Sequence, residues 1–180
     1  MNITFHGNLI QLKGKPLQIG DKLSDFTLRK NDLSDFTAND LSGVTVFITV
    51  PSLDTPVCDL EIKRFHKDLS KLGKVKVYAV SVDLPFAQQR WCGANGVDGI
   101  ETLSDYAYHN FGEATGTLIQ PLELLTRAVI ILGSDRSVAY VQYVPEVTNH
   151  PDYEAVYQAI SSIQQEGTTF LLTGITAGVL

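Results

Sequence analysis

The segment VFITVPSLDTPVCDLEIKRFH, residues 46–66, changes its hydrophobic period halfway along. Its apolar, β-branched start belongs to the run 44–50, which is typical of a strand covered on both faces. From Val57 apolar residues recur at helical spacing as far as Gly73, where a helix would stop; they are Ile62, Phe65, Leu69 and Leu72. A strand, a proline-bounded loop and a helix in this order predict an α/β protein. The same order puts Cys58 on the first turn of the helix.

The residues on either side continue the alternation of strands and helices. Residues 1–14 alternate polar and apolar around Gly7–Asn8, which predicts an N-terminal β-hairpin. Residues 25–37 predict two short strands, residues 75–82 a second buried strand, and residues 84–96 a short helix.

The C-terminal third predicts a hairpin and then a helix. The apolar runs 128–133 and 138–144 flank the turn sequence SDRS, and residues 152–165 have the pattern of an amphipathic helix. Residues 166–180 are apolar and show no clear helical stripe, so we interpret them as a tail that packs on the surface or docks a partner subunit. We predict a single α/β domain over residues 1–180, with a central mixed β-sheet flanked by helices.

Composition excludes several classes of protein. The 180 residues are 44% hydrophobic, which suffices for one sizeable core. A net charge of −6 without a lysine-arginine cluster disfavours nucleic acid and anionic membranes as partners. The apolar runs are shorter than the roughly 20 residues of a membrane helix, and the N-terminus lacks the basic start of a signal peptide. Two cysteines are too few for a disulfide scaffold, so a reducing, cytoplasmic location is predicted.

The position of Cys58 bears on its reactivity. A thiolate is the nucleophilic form of cysteine, and helix N-termini or nearby cations lower the pKa of a thiol from ~8.5 to roughly 3.5–7.5. The first helical turn offers unpaired N–H groups to such an anion. Asp59 and Glu61 oppose the anion with negative charge, so a cation from elsewhere is needed, and Arg127 is the candidate. The alternative is that Cys58 is a small buried hydrophobe.

Three separated motifs resemble those of the thiol peroxidases, the atypical two-cysteine branch of the peroxiredoxins. PSLDTPVC contains Pro51, Thr55 and Cys58 at the spacing of the family signature. SVDLPFAQQRWCGANG is similar to the helix of the family's resolving cysteine, which would be Cys92, 34 positions further on. TRAVIILGSDRSVAYVQYVPEVTNHPDYEAV is similar to the family's C-terminal part, with Arg127 at the position of the active-site arginine.

The resemblance implies a thioredoxin-like fold and a thioredoxin-dependent peroxidase. Cys58 would attack hydrogen peroxide or an organic hydroperoxide and become a sulfenic acid, and Cys92 would then close an intrachain disulfide. Thr55 would hydrogen-bond the thiolate and the peroxide, Arg127 would stabilise the charges, and Pro51 would shield the sulfenic acid from water. Thioredoxin would reduce the disulfide, no metal, flavin or haem cofactor is required, and the family is typically homodimeric.

Each site residue also has a structural alternative. Thr55 could cap the helix, and Pro51 could merely shape the loop. Arg127 could be a solvated residue at the end of a strand, and Cys92 could be a core thiol.

Two rival functions stay open beside the peroxidase. A thiol-disulfide oxidoreductase would act on protein disulfides, although the two cysteines do not form a C-x-x-C motif. A redox sensor or binding module would use the same disulfide as a switch.

The chain departs from the family pattern at a few places. His66 stands where asparagine is common, Trp91 stands where phenylalanine is common, and the apolar tail is not a usual family feature. His66, His109 and His150 lack the paired spacing of zinc ligands, so no metal site is predicted.

Overall fold

Strands and helices alternate along the chain largely as the sequence predicts. The computed structural model describes residues 1–68 and 71–176. The strands are β1 (Ile3–Phe5), β2 (Asn8–Lys13), β3 (Thr27–Arg29), β4 (Asp35–Thr37), β5 (Thr45–Thr49), β6 (Lys76–Ser81), β7 (Glu101–Ser104), β8 (Leu118–Gln120), β9 (Leu124–Leu125), β10 (Ala128–Leu132) and β11 (Val138–Tyr143). The helices are α1 (Pro56–Asp68), α2 (Pro85–Asn95), α3 (Asn110–Thr115) and α4 (Tyr153–Thr176), and Ala38–Asp40 forms a 3₁₀ turn.

The central sheet is mixed, as predicted. Within the described residues it has seven strands in the order β11-β10-β5-β6-β7-β3-β4. The inner strands β5, β6 and β7 are parallel neighbours, whereas β10 with β11 and β3 with β4 pair antiparallel on the two sides. Because parallel strands end at the same edge of a sheet, β5 and β6 deliver the starts of α1 and α2 to neighbouring positions.

Strand β5 separates two apolar layers, which confirms that it is covered on both faces. All five of its residues are buried. Val46 and Ile48 belong to a core cluster with Ile62 of α1 and Ile160 of α4. Phe47, which lies between them on the strand, belongs to the opposite cluster. Three aromatic rings surround Phe47 there: Phe26, Tyr78 and Phe111.

A smaller antiparallel sheet of β1, β2, β8 and β9 includes the predicted N-terminal hairpin. Its turn lies at His6–Gly7, one residue earlier than expected, and both residues have positive φ angles, 51° and 77°. Strand β1 is joined to the loop after β11 through Thr4. The Thr4 N–H donates to the Pro145 carbonyl at 2.8 Å, and the Val147 N–H donates to the Thr4 carbonyl at 2.9 Å.

The last helix is longer than the sequence predicted. Helix α4 continues to Thr176, so residues 166–176 are helical and not the irregular tail that their weak periodicity indicated. Extending an existing helix needs no new nucleation, which lets a segment with two glycines and several threonines stay helical. Residues 177–180 and Leu69 lie outside the described residues. The single-domain boundary at 1–180 stays a prediction.

Several short elements were not predicted: β7, α3, β8 and β9. Each is at most six residues long, too short for its hydrophobic period to be recognised. In the part of the chain that the structure covers, no helix has the length and apolar character needed to cross a membrane.

Two helix ends provide a matched test of close packing. Gly96 and Gly116 both cap helices at φ 63°, but a Cβ at Gly96 would meet nothing within 4 Å, whereas at Gly116 it would lie 2.5 Å from the Pro16 nitrogen. We expect Gly96→Ala to cost about 1–2 kcal/mol of unfolding free energy, the left-handed strain alone. Gly116→Ala should cost about 1–3 kcal/mol more, because the backbone at Pro16 must shift. Urea unfolding of both variants measures the difference, and equal losses would contradict it.

Candidate active site

The loop before α1 is fastened to the carboxyl end of β6 by Asp83. The Ser52 hydroxyl donates to Asp83 Oδ1 at 2.7 Å, and the Leu53 N–H donates to Asp83 Oδ2 at 2.8 Å. Ser81 donates to the same carboxylate at 2.7 Å. Asp83 is not among the residues predicted for the site. The signal that could have identified it is a carboxylate two residues beyond a buried parallel strand. These bonds hold the backbone that leads into Cys58.

A pocket of about 350 Å³ opens beside this loop. Pro51, Thr55 and Arg127, three of the predicted site residues, line it. The other lining residues are Phe5, His6, Pro56, Val57, Val147 and Thr148. The Thr55 hydroxyl donates to the Ser52 carbonyl at 2.9 Å, so it closes the turn before α1.

Cys58 lies in the first turn of α1 and is fully buried. Arg127 Nη2 donates to Cys58 Sγ at 3.3 Å. Arg127 itself is 2% exposed, so the alternative of a solvated residue at the strand end is wrong. The structure therefore brings together two residues 69 positions apart, and it puts the cation against the thiol.

The remaining nitrogens of the Arg127 guanidinium are also bound. Nε donates to the Val147 carbonyl at 2.9 Å, and Nη1 forms an ion pair with Glu61 Oε2. Glu61 is fully buried, and its Oε1 has no hydrogen-bond partner among the described residues. Burial raises the pKa of Glu61 to about 7, and Arg127 opposes that rise. One buried cation thus faces two groups that become anions, the Cys58 thiol and the Glu61 carboxyl.

The acidic residues near Cys58 differ from their expected role. From their positions in the sequence, Asp59 and Glu61 are expected to oppose a Cys58 thiolate with unpaired negative charge. In the structure Asp59 Oδ2 accepts from Lys63 Nζ at 2.8 Å, and Glu61 is paired with Arg127. The Asp59–Lys63 pair follows helical i,i+4 spacing and was accessible to sequence reasoning. The pairing of Glu61 with Arg127 depends on how α1 packs on the sheet.

Cys92 occupies a separate environment on α2. Its Sγ lies 3.8 Å from the Thr102 hydroxyl, and burial raises the pKa of its thiol. Cys92 lines a different pocket of about 310 Å³, which it shares with Asn31, Glu101 and Thr102 among others. The two cysteines are not joined by a disulfide. The alternative of a core thiol holds only in part, because Cys92 packs at the edge of the core cluster that contains Cys58.

The two sulfurs contact distant parts of the sheet. Cys58 Sγ contacts Arg127, directly before β10, while Cys92 Sγ contacts Thr102 in β7. Strands β5 and β6 lie between β10 and β7. Three strand spacings of ~4.8 Å put β10 and β7 about 14 Å apart. A disulfide needs Cα atoms within about 7 Å, so we expect that α1, α2 or both move before the sulfurs bond.

No group of three His, Cys, Asp or Glu side chains within residues 1–68 and 71–176 is arranged to hold a metal ion. His66 Nε2 lies 3.0 Å from Asp98 Oδ1, and His150 Nδ1 lies 2.7 Å from the Tyr153 hydroxyl. These histidines thus have structural partners.

Comparison with known proteins adds an independent finding. Residues 18–157 match the model of the Redoxin family. A thiol peroxidase of Bacillus subtilis is 47% identical over 162 residues, covering 89% of this chain and 97% of its own length. A thiol peroxidase of Clostridium acetobutylicum is 44% identical over 159 residues, covering 88% of this chain and 97% of its own length.

Solved structures agree with the fold. A peroxiredoxin-like protein from Aquifex aeolicus superimposes with a TM-score of 0.82 at 36% identity, over 90% of this chain and 96% of its own. A thiol peroxidase from Chromobacterium violaceum has the same TM-score at 22% identity, over 94% and 98% of the two chains, and supports the fold alone.

The buried Glu61 carboxyl should leave a signature in the pH dependence of stability. Its pKa is raised from 4.5 to about 7 in the folded protein, so the folded state favours the protonated form. The contribution of Glu61 to the free energy of unfolding is full below pH ~4.5 and is lost as the pH rises through about 7. Between pH 5 and 8 the unfolding free energy should fall by on the order of 2–3 kcal/mol more in the wild type than in Glu61→Gln.

Urea unfolding at a series of pH values measures this slope. Glu154→Gln is the matched control, because Glu154 is an exposed glutamate on another helix, and its profile should follow the wild type. Parallel profiles for wild type and Glu61→Gln would show that burial does not affect the ionisation of Glu61.

Proposed function

Since the chain belongs to the Redoxin family, among its thiol peroxidases, we propose that it reduces hydroperoxides with Cys58 as the attacking group. The observation that carries this proposal is the buried Cys58 sulfur in contact with Arg127, a residue that also lines an adjoining pocket. A guanidinium in that position stabilises the thiolate, the nucleophilic form of cysteine.

The first step is a two-electron oxidation of the Cys58 sulfur. The thiolate attacks the outer peroxide oxygen, so an S–O bond forms as the O–O bond breaks. The inner oxygen leaves with the electron pair and takes a proton to become water or an alcohol. The product on the protein is a sulfenic acid. Arg127 stabilises the charge that moves from sulfur to the leaving oxygen, which is electrostatic catalysis by a preorganised donor.

The pocket suits hydrogen peroxide and small organic hydroperoxides. Its volume is about 350 Å³, and most of its lining side chains are apolar, among them Phe5, Pro51 and Val147. Thr55 has a hydroxyl at the pocket wall that can hydrogen-bond the peroxide. Pro51 contributes no N–H donor, and its ring keeps water from the sulfenic acid.

The second step forms an intrachain disulfide. The Cys92 sulfur attacks the sulfenic sulfur of Cys58, an S–S bond forms, and hydroxide leaves as water with the proton of the thiol. The raised pKa of Cys92 disfavours its thiolate while α2 is intact. Unwinding of α2 both exposes the thiol and lets it move, and Gly93 inside the helix lowers the cost by up to about 1 kcal/mol relative to alanine.

The remaining parts of the proposal concern the surroundings of the reaction. We propose thioredoxin as the reductant that returns the disulfide to two thiols. A homodimer stays a prediction from the family resemblance, and a cytoplasmic location stays a prediction from the low cysteine count.

Turnover of Cys92→Ser tests the two-cysteine mechanism. With thioredoxin, its reductase and NADPH, the wild type should consume peroxide continuously. Cys92→Ser should form one sulfenic acid per chain at the wild-type rate and then lose supported turnover by more than about 100-fold, because no disulfide forms. Coupled NADPH oxidation and intact-mass measurement follow the two steps.

The outcomes separate the rival functions. Wild-type turnover by Cys92→Ser would remove Cys92 from the mechanism. Disulfide exchange without peroxide consumption would favour a thiol-disulfide oxidoreductase. A single stoichiometric oxidation of the wild type would favour a sensor.

Arg127 is tested in a background that avoids a buried unpaired charge. Arg127→Met alone would leave the buried Glu61 carboxyl without its cation, which either destabilises the fold or forces the carboxyl to take up a proton. We therefore expect the clean result from Arg127→Met combined with Glu61→Gln, compared with Glu61→Gln alone. The double variant should react with peroxide about 100-fold more slowly at neutral pH, because it has lost the guanidinium at the sulfur. Equal rates of sulfenic acid formation in stopped-flow measurements would exclude Arg127 from the chemistry.

A further inference from the structure

Polar contacts join the two elements that carry the cysteines. Asp59 directly follows Cys58, and Trp91 directly precedes Cys92. Trp91 Nε1 donates to Asp59 Oδ1 at 3.0 Å. The bond therefore connects α1 and α2 at the residues next to the two thiols. Nothing in the peroxide chemistry described above requires this bond.

The surroundings make this bond stronger than an ordinary surface contact. Trp91 is 6% exposed and belongs to the core cluster that includes Cys58. The second oxygen of Asp59 binds Lys63 at 2.8 Å, which orients the carboxylate and satisfies it. An indole N–H that is largely shielded from water and bound to a carboxylate is a charge-assisted hydrogen bond. Breaking it leaves a buried donor without a partner.

A nearby contact provides the contrast. Arg90, which precedes Trp91, lies 3.7 Å from Asp54 in the loop before α1, and both side chains are mostly exposed. Exposed ion pairs contribute little to stability. Of these two contacts, the Asp59–Trp91 bond is the one able to resist separation of α1 from α2.

We propose that the Asp59–Trp91 hydrogen bond is a latch that holds the turns beside Cys58 and Cys92 helical and so slows disulfide formation. This inference rests on the proposed disulfide mechanism. Because the Cys58 and Cys92 sulfurs contact different strand regions, α1, α2 or both must unwind locally before the sulfurs meet. The latch joins the side chains of their neighbours in the folded arrangement, so it must open first. Asp59 acts as a positioning residue, since it contacts neither the peroxide pocket nor a reacting sulfur.

The latch would set how the sulfenic acid is divided between two fates. While the helices stay folded, Cys58 sulfenic acid remains beside Arg127 and the adjoining pocket, where a second peroxide oxidises it to a sulfinic acid and is itself reduced to water or alcohol. When the latch opens, Cys92 reaches the sulfenic sulfur and the disulfide forms. A weaker latch therefore means faster disulfide formation and less over-oxidation.

The single tryptophan makes the step observable. Trp91 is the only tryptophan in the chain, and its indole is the donor of the latch. Reduced protein is mixed with excess hydrogen peroxide in a stopped-flow fluorimeter. A phase whose rate rises with peroxide concentration reports sulfenic acid formation, and a later phase independent of peroxide reports disulfide formation.

Three substitutions separate the hydrogen bond from the charge. Asp59→Leu removes the acceptor, and the peroxide-independent phase should become about tenfold faster, as expected for loss of one hydrogen bond to a charged group. Asp59→Asn keeps an acceptor and removes the charge, so it should stay within about twofold to threefold of the wild type. Asp54→Asn removes the exposed contact between the same elements and should leave the phase unchanged.

Over-oxidation provides the second readout. At high peroxide the fraction of Cys58 found as sulfinic acid by intact mass should fall in Asp59→Leu and return toward the wild type in Asp59→Asn. If Asp59→Leu does not fold, Trp91→Phe removes the donor and keeps an aromatic ring in the core, and acid-quenched alkylation with mass measurement replaces fluorescence.

The failures of the two proposals are distinguishable. If the wild type forms no Cys58–Cys92 disulfide, the proposed mechanism is wrong, and the latch is wrong with it. If the wild type forms the disulfide but Asp59→Leu and Trp91→Phe form it at the wild-type rate or more slowly, the mechanism stands and the latch is overturned.

Discussion

The site depends on one buried guanidinium. Arg127 uses its three nitrogens on a sulfur, a carboxylate and a backbone carbonyl, and these belong to α1 and to the loop after β11. A charge in a core is tolerated only when its donors are satisfied, so the packing of these elements and the position of the cation are set together. The contacts of Arg127 with Cys58 and Glu61 fix the first turns of α1 against the start of β10. The same contacts that make the charge acceptable put a cation against the Cys58 sulfur.

The N-terminal hairpin supports this centre from outside. Thr4 pairs with the backbone on both sides of Glu146, and Glu146 accepts from the Thr4 hydroxyl at 2.6 Å and from the Gly7 N–H at 3.1 Å. These bonds, the Thr4 hydroxyl above all, lower the pKa of Glu146 to about 2. The loop they fix continues into Val147, whose carbonyl accepts from Arg127. The hairpin thus contributes both the wall of the pocket, through Phe5 and His6, and the support of the arginine.

The separation of the two thiols follows from the topology. Cys58 follows β5 and Cys92 follows β6, which are parallel neighbours, so their helices begin at the same edge of the sheet. The Cys58 sulfur nevertheless contacts Arg127, directly before β10, whereas the Cys92 sulfur contacts Thr102 in β7. In the proposed mechanism, a rigid protein with this arrangement could form the sulfenic acid but not the disulfide. The stability of α1 and α2 would then decide when the second thiol reaches the first.

The sequence by itself determined the order of the main elements and the family to which the chain belongs. The period change near Val57 predicted β5 and α1, and the three motifs around Cys58, Cys92 and Arg127 carried the family resemblance, because both signals are local. The sequence did not reveal that Arg127 is buried. Its ion pair with Glu61 and its contact with Cys58 join residues 66 and 69 positions apart, and no local pattern encodes such distances.

The tertiary structure also revealed other features that the sequence did not predict. Asp83 can bind Ser52 and Leu53 in the loop before α1 only because β5 and β6 end side by side. Residues 166–176 are helical because α4 extends into them, although their own pattern lacks a stripe. Tertiary structure alone decided which groups satisfy the buried charges and how far apart the two thiols lie. The physical reason is that burial and pairing depend on neighbours brought together by packing, whereas strand, helix and motif signals depend on neighbours along the chain.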